Sequence, residues 1–307
     1  MAAVRLATRG SPLALWQARR VAELLGAGQA GPVELVVVQT TGDRRRDVSL
    51  ADLGAQGVFA KEVQAAVLAG DADAAVHSAK DLPSLTPVGL VLAAVPERAD
   101  VRDALVGASL DQLPTGALIA TSSVRRRAQL AWLRPDLGFV DLRGNIDSRL
   151  RRAQATGGGV VAACALDRLG LSPPVIERLD PSLVLPQVGQ GAIAVECRAD
   201  DQRLLQALVD IDDPVAHRAL LAERAFLAEL GGGCSLPVGA LASIPAGVAG
   251  PIDLQGMLAS RDGGVLLRRR RGGDDPAILG RTLALELLDD CGGRDLGDWS
   301  DARPLRP

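Results

Sequence analysis

The chain has 307 residues, 48% hydrophobic and 23% charged, with a formal net charge of −3. That apolar fraction excludes a disordered chain, and the length gives room for two or three domains. No apolar run is long enough to span a bilayer, the first residues lack a signal-peptide core, and the four cysteines (Cys164, Cys197, Cys234, Cys291) form no C-x-x-C pair, so the expectation is a soluble cytoplasmic protein without membrane contact, disulfide framework or metal site.

In chain order, Val4–Thr8 reads as a strand and Pro12–Leu25 as a helix, with Ser11 as N-cap and Pro12 at the first helical position. Strands follow at Glu34–Gln39, Ala72–His77, Leu90–Val95, Leu118–Thr121, Phe139–Leu142, Val160–Ala163 and Ala192–Cys197. Short apolar runs alternating with helical patterns predict parallel sheets covered by helices on both faces. After Asp213 the pattern changes to a long helix over Pro214–Leu230 and a Gly-rich turn holding Cys234. A meander follows over Val238–Ile244, Ile252–Ser260 and Val265–Arg270, then a helix near Ala277–Leu288.

Two segments read as hinges, Pro96–Val101 and Val188–Gly191. A chain that leaves one α/β lobe near 97 and returns near 190 connects its lobes twice, with a ligand cleft between them. The domains expected are 1–95 with 193–213, then 99–190, then an α+β unit over 217–307.

Charges at the strand ends carry the chemistry. Arg9 and Ser11, then Thr121–Ser123 before Arg125, Arg126 and Arg127, then Arg143-Gly144-Asn145 before Arg149, each form a strand-to-helix turn with hydroxyl or amide groups and a guanidinium. Three such turns suit a ligand with several carboxylates or phosphates. Consecutive helical residues fan around the axis, so one of Arg125–Arg127 faces away. Nucleic acid is disfavoured as a partner by the net charge and the lack of interleaved aromatics.

All but two of the 34 basic residues are Arg, the exceptions being Lys61 and Lys80. Most of that excess, including Arg44–Arg46 and Arg268–Arg271, reads as the coding bias of a GC-rich sequence. Lys61 reads as structural, on a helix. Lys80 lies beside Asp81 in His77-Ser78-Ala79-Lys80-Asp81-Leu82-Pro83, at a buried strand's end. There Asp81 either caps the next segment or is a cleft carboxylate that stabilises positive charge or passes a proton. Cys234 follows three glycines, as an incidental thiol in a loop or as an uncovered nucleophile or attachment point. Cys164, in VVAACAL, reads as an enclosed structural thiol.

Together these segments resemble the porphobilinogen deaminase (hydroxymethylbilane synthase) family. The matching stretches are TRGSPLALWQA (8–18), QTTGD (39–43), HSAKDLP (77–83), TSSVRRRAQL (121–130), DLRGNIDSRL (141–150), LPQVGQGAIAVECR (185–198) and AERAFLAELGGGCSLPVGA (222–240). The resemblance runs in order from about residue 4 to 290. It implies two doubly connected α/β domains similar to periplasmic binding proteins, a smaller C-terminal α+β domain, and a monomer. It also implies a dipyrromethane cofactor joined by a thioether to Cys234, and stepwise condensation of four porphobilinogen molecules into 1-hydroxymethylbilane with release of four ammonia.

By the same resemblance Asp81 is the catalytic carboxylate, contacting pyrrole N–H groups and a cationic azafulvenium-type intermediate. Ser78, Lys80, Ser123, Arg125, Arg126, Arg143, Gly144 and Arg149 would hold the cofactor. Arg9, Ser11, Arg143, Arg149, Arg168 and Gln190 would hold substrate. Asp52 and Gln56 stand where many relatives carry lysine in the cleft-covering loop, and Gly231 where an acidic residue is common. Rival readings are a non-enzymatic two-lobed carboxylate receptor, which needs no adduct on Cys234, and a nucleic-acid binder with steeply salt-dependent affinity.

Overall fold

The computed structural model describes residues 3–28, 31–40, 57, 59–142, 144–231, 236–245 and 247–296. The first sheet contains β1 (Val4–Arg9), β2 (Val33–Val38), β3 (Ala74–Ser78), β4 (Leu90–Ala94) and β10 (Ile193–Arg198), in the order β2-β1-β3-β10-β4. Helix α1 (Pro12–Gly26) and helix α6 (Gln202–Val209) cover one face through Val21, Leu25, Leu204 and Leu208. Helix α2 (Lys61–Leu68) covers the other through Val63 and Val67, against Ala7 and Ala75. Burying each such Leu or Val contributes about 2 kcal/mol. Along β1, alternate residues feed opposite layers, Leu6 toward α1 and Ala7 toward α2.

The second sheet contains β5 (Asp103–Val106), β6 (Leu118–Ala120), β7 (Gly138–Val140), β8 (Gly158–Ala162) and β9 (Ile176–Leu179), in the order β7-β6-β8-β5-β9. Its helices are α3 (Val124–Leu133), α4 (Ile146–Gln154) and α5 (Ala163–Arg168). β5, β9 and α6 are absent from the sequence reading. DALV and IERL are too short to show a period, whereas α6 (QRLLQALV) is amphipathic, with Leu204 and Leu208 buried one turn apart, a signal that the sequence did contain.

Neither sheet is parallel throughout, which corrects the sequence expectation. β1 runs parallel to β2 and β3, while β10 runs antiparallel to β3 and β4. In the second sheet β6 is parallel to β7 and β8, and β5 is antiparallel to β8 and β9. The reversed strand holds the fourth position in both. Each is the strand that the chain enters on arriving from the other sheet, so no local crossover helix dictates its direction.

The two passages between the sheets lie side by side, with the Ala99 N–H donating to the Gly191 carbonyl at 3.1 Å. Gly191 has φ +85°, and a Cβ there would fall 2.5 Å from the Ala99 carbonyl oxygen, so only glycine permits this approach. The third sheet is an antiparallel meander of β11 (Val238–Ser243), β12 (Ile252–Ala259) and β13 (Leu266–Gly273). Helix α7 (Pro214–Glu229) and helix α8 (Pro276–Leu285) pack on it around a fully buried Phe226. β13 is an edge strand, where Arg270 pairs with Asp253 and Arg271 with Glu286. Arg268 instead reaches the second lobe, donating to the Leu183 carbonyl (2.6 Å) and Gln129 Oε1 (2.7 Å).

Candidate active site

The first lobe builds its half from two strand ends. β1 ends at Arg9, and Ser11 caps α1 by accepting from the Ala14 N–H at 3.3 Å. β3 ends at Ser78 and runs into a short 3-10 turn, Ala79–Asp81. Because β1 and β3 are adjacent and parallel, both ends open at the same sheet edge. Arg9, Ser11, Ser78 and Asp81 there line one pocket of about 50 Å³. The Arg9 guanidinium lies over the Phe59 ring, 3.9 Å from its centroid.

The second lobe presents Ser123, whose side chain accepts from the Arg126 N–H as the N-cap of α3. Arg125 and Arg126 turn inward to a fully buried Asp103. Arg125 Nη2 lies 2.8 Å from Asp103 Oδ2, and Arg126 donates from Nε (3.0 Å) and Nη2 (2.7 Å) to Oδ1. Arg127 faces away, over Phe139 and 3.6 Å from Asp141. Gly144 has φ +100°, and its carbonyl accepts from Arg149 Nε at 3.0 Å. Arg168 donates to the Gly191 carbonyl (2.7 Å) and stacks toward Trp16. Gln190 is fully buried and donates to the Val101 carbonyl (2.8 Å) and Asp103 Oδ1 (2.9 Å). Arg168 and Gln190 therefore contact the passages between the lobes and do not line the small pocket. Arg143, Cys234, Asp52 and Gln56 lie outside the described residues. The segment holding Cys234 leads into β11, where a Cβ on Gly239 would lie 3.4 Å from the Arg125 side chain.

Electrostatics joins the halves. Burial pushes the Lys80 ammonium down, opposed by Cys164 and Asp81 and reinforced by the charge of Arg126. Arg149 is lowered by burial and by Arg126, and Asp81 opposes this too. Asp81 of the first lobe thus acts on cations of both. Burial would raise Asp103, but the charges of Arg125 and Arg126 and the bonds from Arg126 and Gln190 hold it far below the usual carboxylate range. Cys164 is buried beside Ala162, Ala165 and Leu13 as expected, yet within charge range of Lys80 and Arg168.

Sequence reasoning missed Gln17, Phe59 and His77 as pocket residues, and Asp103 behind the arginines. A buried Gln on the otherwise apolar face of α1 was the available signal for Gln17. Glu196 is fully buried behind His77, 3.4 Å from its Nε2, and accepts from Gln64 Nε2 at 2.7 Å. Neither partner is near it in sequence.

Two α/β lobes joined by two passages, with guanidinium groups gathered at the strand ends between them, carry a third, smaller domain. Residues 4–206 match the family profile "Porphobilinogen deaminase, dipyromethane cofactor binding domain", and residues 217–289 match "Porphobilinogen deaminase, C-terminal domain". A porphobilinogen deaminase of Roseiflexus sp. (strain RS-1) is 48% identical over 298 residues, covering 95% of this chain and 97% of the relative. One of Syntrophomonas wolfei is 49% identical over 266 residues, covering 85% and 86%. A periplasmic substrate-binding protein from Coxiella burnetii shows a looser likeness, with TM-score 0.40 and 16% identity over 70% of this chain and 94% of that one. The chain belongs to the porphobilinogen deaminase family.

Proposed function

We infer that the protein is a transferase that condenses four porphobilinogen molecules head to tail into 1-hydroxymethylbilane, releasing four ammonia. The observation that supports this most is the pocket shared by Arg9, Ser11, Ser78 and Asp81, set within charge range of Lys80 and Arg149. Porphobilinogen carries an acetate, a propionate and an aminomethyl group on a pyrrole ring. In this reading Arg9 and Ser11 bind its carboxylates. Asp81 faces the pyrrole N–H and stabilises the positive charge that develops on the ring as ammonia departs. Lys80 and Arg149 lie within charge range of the Asp81 carboxylate.

A dipyrromethane is the cofactor that the matched family domain names, and the residues fit it on charge. Arg125 and Arg126 share one carboxylate, Asp103, and the charge of Arg126 adds to the burial that disfavours charged Lys80 and Arg149. Among the described residues Lys80, Arg125, Arg126 and Arg149 face two carboxylates, Asp81 and Asp103, and a group bearing acetates and propionates adds negative charge there. When bound, the cofactor supplies a free pyrrole α-carbon as nucleophile. Ser78, Lys80, Ser123, Arg125, Arg126, Arg143, Gly144 and Arg149 are assigned to holding it, and Cys234 to its thioether. Arg143, Arg149, Arg168 and Gln190 are assigned to the lengthening chain. The proposed domains are 1–95 with 193–213 for the catalytic carboxylate, 99–190 for carboxylate binding and 217–307 for attachment.

Among the described residues no helix is long and apolar enough to cross a membrane. A cytoplasmic monomer without nucleic-acid partner completes the proposal, resting on the family resemblance. The test is intact mass and turnover of the purified full-length protein. We expect an excess of about two pyrrole units, lost in Cys234→Ser, together with ammonia release from porphobilinogen. An active preparation of unmodified mass would overturn the cofactor assignment. A protein without turnover would return the receptor reading to first place.

A further inference from the structure

Asp103 is the first residue of β5, directly after the outgoing passage, and it is fully buried. Its Oδ1 accepts from Arg126 Nε, Arg126 Nη2 and Gln190 Nε2, while Oδ2 meets Arg125. Gln190 belongs to the return passage, and the same Nε2 also donates to the Val101 carbonyl of the outgoing one. Two acceptors around one nitrogen fix the orientation of that amide. The Gln190 carbonyl in turn accepts from Arg98 of the outgoing passage at 3.0 Å. One carboxylate is therefore shared by the two guanidiniums assigned to ligand carboxylates and by the side chain that ties the passages together.

We propose that Asp103 is a positioning residue that couples carboxylate binding at Arg125 and Arg126 to the paired interlobe passages, through Gln190. This rests on the functional reading above. Two guanidiniums against one carboxylate leave a positive charge, and the carboxylates of the group held by Arg125 and Arg126, displaced as porphobilinogen units are added to it, compete with Asp103 for the same cations. As their hold on Asp103 weakens, Gln190 keeps a stronger share of it, and the clasp between Val101 and Gln190 shifts with it. Ligand charge is in this way converted into a change at the two passages that join the lobes.

The test uses the full-length enzyme as purified, with intact mass checked for each variant. Amide hydrogen exchange at 96–101 and 188–191 is measured with and without saturating porphobilinogen. In the wild type, substrate changes exchange in both segments. Asp103→Asn keeps the shape and removes the charge. With the competing charge gone its KM falls about tenfold with kcat within about threefold, and substrate no longer alters exchange in the passages. Gln190→Leu leaves the Asp103–arginine pairs and cuts the link, so at saturating porphobilinogen the exchange response is lost there too. A wild-type response retained in either variant overturns the proposal, as does Asp103→Asn with unchanged KM. If Asp103→Asn does not fold, Gln190→Leu decides alone. A wild-type enzyme that turns over porphobilinogen with passages that ignore it overturns this proposal only. One without turnover overturns the functional reading, and this proposal with it.

Discussion

The Glu223 carboxylate grips the Arg98 guanidinium at two points, 2.7 and 3.1 Å, joining a helix of the third domain to the outgoing passage between the lobes. The same carboxylate accepts from the Gly189 N–H (2.7 Å) on the return passage and from the Ala242 N–H (2.9 Å) on β11. Glu223 is fully buried, so all four bonds act without competition from water.

Removing this carboxylate strands a nearly buried guanidinium and two buried N–H groups. We expect Glu223→Ala to cost about 3–5 kcal/mol in urea unfolding, with Glu223→Gln losing less because it keeps an acceptor. A loss under about 1 kcal/mol in the alanine variant would show that water or rearrangement replaces the contact.

Asp81 contrasts with it, being partly exposed and standing at the end of a strand rather than inside a core. Asp81→Asn should leave far-UV circular dichroism and the urea midpoint unchanged. Turnover should fall by about 10²–10⁴-fold, the range for losing a charge that stabilises a cationic transition state. Wild-type turnover in this variant would remove Asp81 from the mechanism.

Acid stability follows from three carboxylates held below their ordinary values of 3.8, 3.8 and 4.5: Asp100, Asp103 and Glu196. Hydrogen bonds from Arg102 lower Asp100. For Asp103 and Glu196 burial opposes the shift, but Arg125 and Arg126 in one case, and His77 and Gln64 in the other, outweigh it. As pH falls, the unfolded chain takes up these protons first. Stability is therefore fully present above the ordinary values and is lost as pH drops below them toward the folded-state values. Urea midpoints should be nearly flat from about pH 7 to 5 and fall steeply below about pH 4. Asp103→Asn should flatten part of that fall. A wild-type midpoint independent of pH below 4 would contradict the assignment.

Much of this organisation was legible in the residues. Strand ends bearing Arg9, Ser11, Ser78, Asp81 and Ser123 announced themselves locally, because a cap or turn is written within three or four positions. Seven motifs in order then carried the family resemblance. Asp103 and Glu223 were illegible for a physical reason. Asp103 sits in a charged segment that reads as solvated, and its partners Arg126 and Gln190 lie 23 and 87 positions away. Glu223 reads as one polar position on an amphipathic helix, and Arg98 is 125 residues distant. Buried ion pairs of that separation leave no period to detect. Strand direction was hidden likewise, since an apolar run such as Ile193–Arg198 looks the same pointing either way.

The central place of β10 has a consequence for how the chain is made. β10 lies between β3 and β4, yet it is synthesised after the whole of the second sheet. A nascent first lobe ending at Ala94 has four of its five strands and a bare gap between β3 and β4. It must wait, with the edges of Ala74–Ser78 and Leu90–Ala94 unpaired, until about a hundred further residues have left the ribosome. The second sheet has no such debt, because all its strands fall between Asp103 and Leu179. During synthesis the later lobe is therefore the first that can finish folding, and the earlier one closes around the strand that returns from it.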